Sequence, residues 1–193
     1  MKKLTTIFLI FLSPHLFSQQ KLIAKASNNI KSDMQKVVGD YYDHFHNIKG
    51  EKLSESVSTI EYQSKVVPPD ASESIITEIK SLQNVYSWEA TLLKTDDFEK
   101  AVEKYRQIYR QLDGASFKMY DKKSWKFKGA YDTPDESRAF ASSILEPEVA
   151  EKVLQRLKIE VALNYNMSEW TIKLLVYEKE ADDEIRPTER TGL

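Results

Sequence analysis

The stretch IEVALNYNMSEWTIKLLV, Ile159 to Val176, decides how the rest of this chain can fold. Its apolar residues alternate on both sides of a short polar break. A turn at Asn166 to Glu169 therefore pairs Tyr165 with Trp170, Leu163 with Ile172, Val161 with Leu174 and Ile159 with Val176. These eight residues share one face, and Glu160, Asn164, Thr171 and Lys173 take the other. A hairpin apolar on one side needs a second layer there. The expectation is an α+β fold: an antiparallel-dominated sheet with helices packed on one face, in its most specific form a ferredoxin-like core enlarged by extra helices.

The helices are sought outward from that hairpin. Asp96 with Glu99 reads as a capping box, and Phe98, Ala101, Val102, Tyr105, Ile108, Tyr109 and Leu112 form an amphipathic stripe closed by Gly114. Met34, Val37, Val38, Tyr41, Phe45 and Ile48 follow Ile30 at spacings of three and four, which predicts a long helix that stops at Gly50. Asp70 with Glu73 suggests a further cap, ahead of a helix carrying Ile75, Ile76, Ile79 and Leu82. Thr133, Pro134 and Glu136 suggest another, running through Phe140 and Ile144 and interrupted at Pro147, with Val149, Val153, Leu154 and Leu157 helical after the break.

Strands are expected at Ile60 to Val66, ended by Pro68 and Pro69, and at Tyr86, Trp88, Ala90 and Leu92. Phe117 to Phe127 reads as a hairpin with a loop at Tyr120 to Ser124, which sets Met119 opposite Trp125 and Phe117 opposite Phe127. Pro-Asp-x-Ser after a strand and before an expected helix occurs at Pro69 to Ser72 and at Pro134 to Ser137, raising a duplicated βαβ half.

The amino terminus speaks to location. Lys2 and Lys3, the apolar run Ile7 to Leu12, and Ser18 before Gln19 and Gln20 have the form of a secretory signal peptide over residues 1–18. The apolar run is too short for the roughly 20 residues of a membrane span. The expected organisation is a signal peptide at 1–18, a single α+β domain at 19–180 and a charged, disordered tail at 181–193. The style of the leader is bacterial, and the expected address is periplasmic or secreted. In a eukaryote Asn166-Met167-Ser168 would be a glycosylation acceptor.

Composition excludes several classes. The chain has no cysteine, so disulfides, thiolate metal sites, Cys nucleophiles and a lipoprotein anchor are all out of reach. Its 28 Lys+Arg against 30 Asp+Glu give no global nucleic-acid signature, and its five glycines include no phosphate-cradle motif. No G-x-S-x-G or HExxH occurs. The acidic pairs Asp96-Asp97 and Asp182-Asp183 read as a helix start and a solvated tail.

Two clusters could carry function. Ser116 to Tyr131 holds five lysines against the single acid Asp121, interleaved with aromatic rings. Lys118, Tyr120, Lys122, Lys123, Trp125, Lys126 and Lys128 are thus candidate ligand-binding residues for an anionic glycan, peptidoglycan or lipid headgroup; exposed lysines also protect a sheet edge. Asp40 and His44, one helical turn apart, could supply two metal ligands to a hydrolase. The leading expectation is an exported, non-enzymatic binding or interaction protein of the envelope, with no cofactor, no nucleic-acid partner and no transmembrane segment in the mature chain. Tyr41, Tyr42, Tyr62, Tyr86, Trp88 and Tyr177 are expected in the core, or lining a pocket where the sheet is left uncovered.

Overall fold

The computed structural model describes residues 30–81, 84–120, 122–149 and 152–179. The expected signal peptide at 1–18 and the charged tail at 181–193 lie outside the described residues. Among the described residues nine strands form one antiparallel sheet: β1 (Lys49–Glu55), β2 (Thr59–Ser64), β3 (Glu73–Ile79), β4 (Val85–Thr95), β5 (Ser116–Lys118), β6 (Ser124–Lys128), β7 (Phe140–Pro147), β8 (Leu157–Asn166) and β9 (Glu169–Glu178). The strand order is β1-β2-β3-β4-β9-β8-β7-β6-β5, two meanders joined where β4 pairs with β9. Helix α1 (Ile30–Asp40) precedes β1, α2 (Phe98–Leu112) connects the meanders, and the short α3 (Lys152–Gln155) lies before β8.

The central hairpin forms in the expected register, with Tyr165 on Trp170, Leu163 on Ile172, Val161 on Leu174 and Ile159 on Val176. Its apolar face belongs to a row that crosses the sheet. Tyr62, Ile76, Trp88, Val176, Ile159 and Leu145 are successive cross-strand partners. Helix α2 lays its buried Ala101, Tyr105, Ile108 and Leu112 on that side, and Tyr105 bonds the buried Ser143 of β7 at 2.7 Å. Each large apolar side chain fully buried here contributes about 1.5–3 kcal/mol. Asp97, rather than Asp96, caps α2 by accepting from Lys100 N, and Gly114 (φ 72) reverses the chain behind it.

The opposite face is a polar lattice. Lys173 pairs with Glu89 at 2.7 Å, Lys158 with Glu146 at 2.7 Å, and the Tyr177 hydroxyl donates to Glu160 at 2.7 Å. This is the half-wet sheet expected of an antiparallel architecture with helices on one face.

The ferredoxin-like form is not the one found. In a split βαβ unit one strand separates the two that the helix joins, whereas α2 joins β4 to β5 across β9, β8, β7 and β6. Two expected helices are strands. In Glu73–Ile79 four of seven residues, Ile75, Ile76, Thr77 and Ile79, are β-branched and lose side-chain freedom in a helix; Ser74 and Ile76 turn inward in β3. In Phe140–Pro147 the buried residues are Ala141, Ser143, Leu145 and Pro147, a period of two. The expected cap ahead of it is a turn, in which Asp135 accepts from Ser137 N at 2.8 Å and Arg138 N donates to Asp135 O. Both Pro-Asp-x-Ser segments therefore lead into strands, so the duplicated strand-to-helix unit does not form. The helical run expected after Pro147 is limited to the four residues of α3, because Leu157 opens β8.

The first helix also stops early. It ends at Asp40, with a 3-10 turn over Tyr41–Asp43 and positive φ at His44 and Phe45. Strand β1 was not foreseen, since its burial is confined to Lys49 and Gly50 and its polar sequence shows no alternation. The β5–β6 hairpin keeps its four apolar residues on one face but slips by two: Phe117 stands opposite Trp125, and the loop is Met119–Lys123. Tertiary contacts hold that register. Phe127 pairs with Pro147 of β7, and the Gln35 side chain of α1 bonds both backbone groups of Lys118 at 2.8 Å. Gly129 permits the approach of β7, since a Cβ there would stand 1.8 Å from Ile144 O.

Candidate functional site

The early end of α1 builds the site. Asp40 is the last residue of α1, and its carboxylate accepts from Asn47 N at 2.9 Å and Ile48 N at 3.2 Å, with the Asn47 amide also donating to it. This closes a tight loop over 41–48, anchored by the fully buried Phe45. The helical spacing that suggested a pair of metal ligands is thereby lost. His44 swings out to stack on Tyr86, ring centroids 4.8 Å apart. Among the described residues no three His, Asp or Glu side chains group as a metal site.

Around that stack lies a cleft of about 160 Å³ lined by Tyr41, Tyr42, His44, Asn84, Tyr86 and Glu178. Elements distant in sequence supply it: the 3-10 turn, the start of β4 and the last residue of β9. Lys49 extends the site along β1 and β2, its ammonium 4.5 Å from the Tyr62 ring and 4.8 Å from the Tyr86 ring. Glu78 receives Asn84 at 2.8 Å and the Tyr62 hydroxyl at 3.3 Å.

Three of the tyrosines, Tyr41, Tyr62 and Tyr86, are pushed above the ordinary phenol value. Burial, then the Glu178 carboxylate, pushes the Tyr41 hydroxyl well above the usual phenol range. Burial likewise raises Tyr86, and burial with the Glu78 charge raises Tyr62. The cleft therefore presents ring faces and hydroxyls able to donate near neutral pH, beside a Glu178 carboxylate paired with Arg156 at 2.9 Å. Such a surface stacks on and hydrogen-bonds a polar ring.

The lysine-rich hairpin begins where the cleft ends. Tyr42 lies against Tyr41 on one side, centroids 5.1 Å apart, and against Tyr120 of the β5–β6 loop on the other, 4.6 Å apart. Tyr120 is 65% exposed at the tip of that loop, flanked by the exposed Lys118, Lys122 and Lys123. Lys123 reaches toward the half-buried Trp125, 6.0 Å from its centroid. Lys126 is exposed on β6, and Lys128 pairs with Glu148 at 3.3 Å. Lys128 thus belongs to the sheet edge more than to the loop.

The two sequence clusters, one around His44 and one around the lysines, are consequently one surface joined by tyrosine rings. Sequence reasoning had named Tyr41, Tyr42 and Tyr86 only as core or pocket aromatics, and it passed over Lys49, Asn84 and Glu178. No local signal marks these three; the pairing of β1, β4 and β9 brings them in. A second groove, about 330 Å³ between α2 and Asp70, is bridged by the Lys104–Asp70 ion pair at 3.0 Å.

Two further findings bear on class. No helix among the described residues is long and apolar enough to cross a membrane. Comparison with protein-family models, with curated proteins and with solved structures finds no match to this chain. The class that fold and site define is an antiparallel nine-stranded α+β protein with a tyrosine cleft opening onto a basic loop.

Proposed function

We propose that this chain is an exported, non-enzymatic binding protein of the bacterial envelope, and that its ligand is an acidic glycan. The observation that carries the reading is the Tyr42–Tyr120 contact, 4.6 Å between centroids, which makes the cleft and the lysine loop one continuous track. A sugar ring suits the cleft, whose stacking faces, phenol hydroxyls, Asn84 and Glu178 match a ring of hydroxyls and C–H faces. A carboxylate, sulfate or phosphate on the neighbouring unit suits Lys118, Lys122 and Lys123, which supply charge without a rigid fork. The leader-like amino terminus supports export, and the missing nucleophile and phosphate-cradle motifs support binding rather than catalysis.

The test is retention of the whole chain on insoluble peptidoglycan and on a soluble acidic polysaccharide. Reversing Lys122, Lys123 and Lys126 to Glu should cut retention at least about tenfold, with a steep salt dependence in the wild type. Tyr86→Ala should cost about 1–3 kcal/mol of binding, in the range of a lost stacking platform. Retention unchanged in the triple variant, with its melting temperature intact, would remove the lysine loop from the site.

A further inference from the structure

We infer that Lys49 is the acid-reading residue of the tyrosine cleft, and that the sugar seated there carries an anionic group on its own ring, a uronate in its simplest form. The inference rests on the glycan reading above and sharpens it, since that reading asks for an acid only on the neighbouring unit.

The first argument is how the residue is held. Lys49 opens β1 opposite the buried Ser64 of β2, whose hydroxyl accepts from the Trp88 ring N–H at 3.0 Å. The residue before it is fixed from both sides: Ile48 N donates to the Asp40 carboxylate at 3.2 Å, and Ile48 O accepts from Lys65 N at 2.8 Å. Cross-strand partners share a face, so the Lys49 side chain leaves over the inner face of the sheet. It is half-buried, and its ammonium lies 4.5 Å from the Tyr62 ring and 4.8 Å from the ring of Tyr86, a wall of the cleft. Strand pairing and two rings thus set this cation in place before any ligand arrives.

The second argument is how the surrounding charges are used. The nearby acids are turned to other donors: Glu178 holds Arg156 at 2.9 Å, and Glu78 receives Asn84 at 2.8 Å and the Tyr62 hydroxyl at 3.3 Å. The neighbouring cations are engaged as well, Lys52 and Lys80 with Glu55 at 2.7 and 2.8 Å, and Lys65 with Asn47 O at 3.4 Å. Lys49 differs. Its ammonium makes no ion pair or hydrogen bond among the described residues and meets only ring faces. A half-buried cation with unmatched donors, among acids already paired, is completed by an anion from outside. Lys49 joins the cleft at Tyr86, whereas the basic loop joins it at Tyr42 through Tyr120. A glycan acidic on successive units satisfies both.

The test compares two monosaccharides that can occupy the cleft without spanning to the loop, methyl glucuronoside and its neutral counterpart methyl glucoside. Binding to the whole chain is followed by NMR titration at the Tyr62 and Tyr86 ring signals. The wild type should bind the glucuronoside at least about tenfold more tightly. Lys49→Gln should abolish that preference at an unchanged melting temperature, and Lys49→Arg, which keeps the charge and stacks on the same rings, should keep most of it. Equal affinities in the wild type, a preference that survives Lys49→Gln, or a loss of both sugars alike in that variant would each overturn the inference. Retention of the wild type on immobilised polygalacturonate, measured in parallel, separates the two readings. Retention without a Lys49-dependent preference sinks the inference and leaves the glycan reading standing; a Lys49-dependent preference without retention does the reverse.

Discussion

The β8–β9 hairpin and the β5–β6 hairpin look alike in sequence, each an alternating aromatic and aliphatic run folded over a polar turn, yet they do opposite work. Strands β8 and β9 are ten residues each, paired from Leu157–Glu178 to Asn166–Glu169, and they sit at the centre of the sheet. Strand β5 has three residues at the sheet margin and pairs with β6 at only three positions. Many cross-strand pairs over a buried face make a register slip costly; three do not. The long hairpin is scaffold, and the short one is free to place its loop where helix α1 and strand β7 hold it.

The largest effect that could break this contrast lies in the scaffold. Leu174→Ala opens a cavity at a fully buried position of β9 and should cost about 2–5 kcal/mol in chemical denaturation. A loss below about 1 kcal/mol would mean that the central hairpin does not organise the core. Gln35→Ala should come next, at about 1–2 kcal/mol, since it removes both bonds to the Lys118 backbone. Hydrogen exchange at Lys118 should accelerate while exchange in β8 and β9 stays slow. Equal acceleration in both hairpins would erase the distinction between them.

A third change has the opposite sign. Met167 and Ser168 hold the β8–β9 turn at φ 49° and 71° with no glycine, and Met167 is 92% exposed. The double substitution Met167→Asn with Ser168→Gly supplies the Asn-Gly pair that a turn with two positive φ angles favours, and should stabilise by about 1 kcal/mol, seen as a higher melting temperature. The gain should leave acidic-polysaccharide retention untouched, because this turn lies outside the tyrosine track.

The smallest effect sharpens the comparison with a third hairpin, β1–β2, which is polar and edge-exposed. Hydrogen bonds from Lys52 and Lys80 lower the Glu55 carboxyl to about 2, well below the usual carboxylate range. A carboxylate lowered by folding contributes above its unfolded value and loses that contribution as pH falls through its folded one. Its small share should persist at pH 5 and fade between about pH 4.5 and 2. A carbon-detected titration of Glu55 checks this, and an ordinary midpoint would show that the ion pairs do not form in solution.

How far these elements could be read in the sequence follows the same logic. Helix α2 was legible because an amphipathic stripe of 15 residues fits one period only, although its cap is Asp97 and not the expected Asp96. Strands β3 and β7 were not, since Ile75, Ile76 and Ile79, or Phe140 and Ile144, satisfy helical spacing as well as alternation, and only pairing with β4 and β8 breaks the tie. Of the candidate site, Tyr120, Lys122 and Lys123 were legible as local composition. Their neighbour Tyr42 was visible only as an aromatic of undecided role, because its meeting with Tyr120 spans 78 positions of chain.

The sequence by itself determined what depends on neighbours in the chain: the central hairpin and its register, the apolar stripe of α2, the absence of any thiol, and the basic composition of one loop. Only the tertiary structure decided where α1 stops, which ambiguous segments become strands, and that His44, Tyr86, Glu178 and Tyr120 share one surface. The reason is physical. Short-range periodicity fixes which face of an element is apolar, but which elements lie side by side depends on hydrogen-bond partners and close packing across long stretches of chain, and those are settled only when the whole sheet has formed.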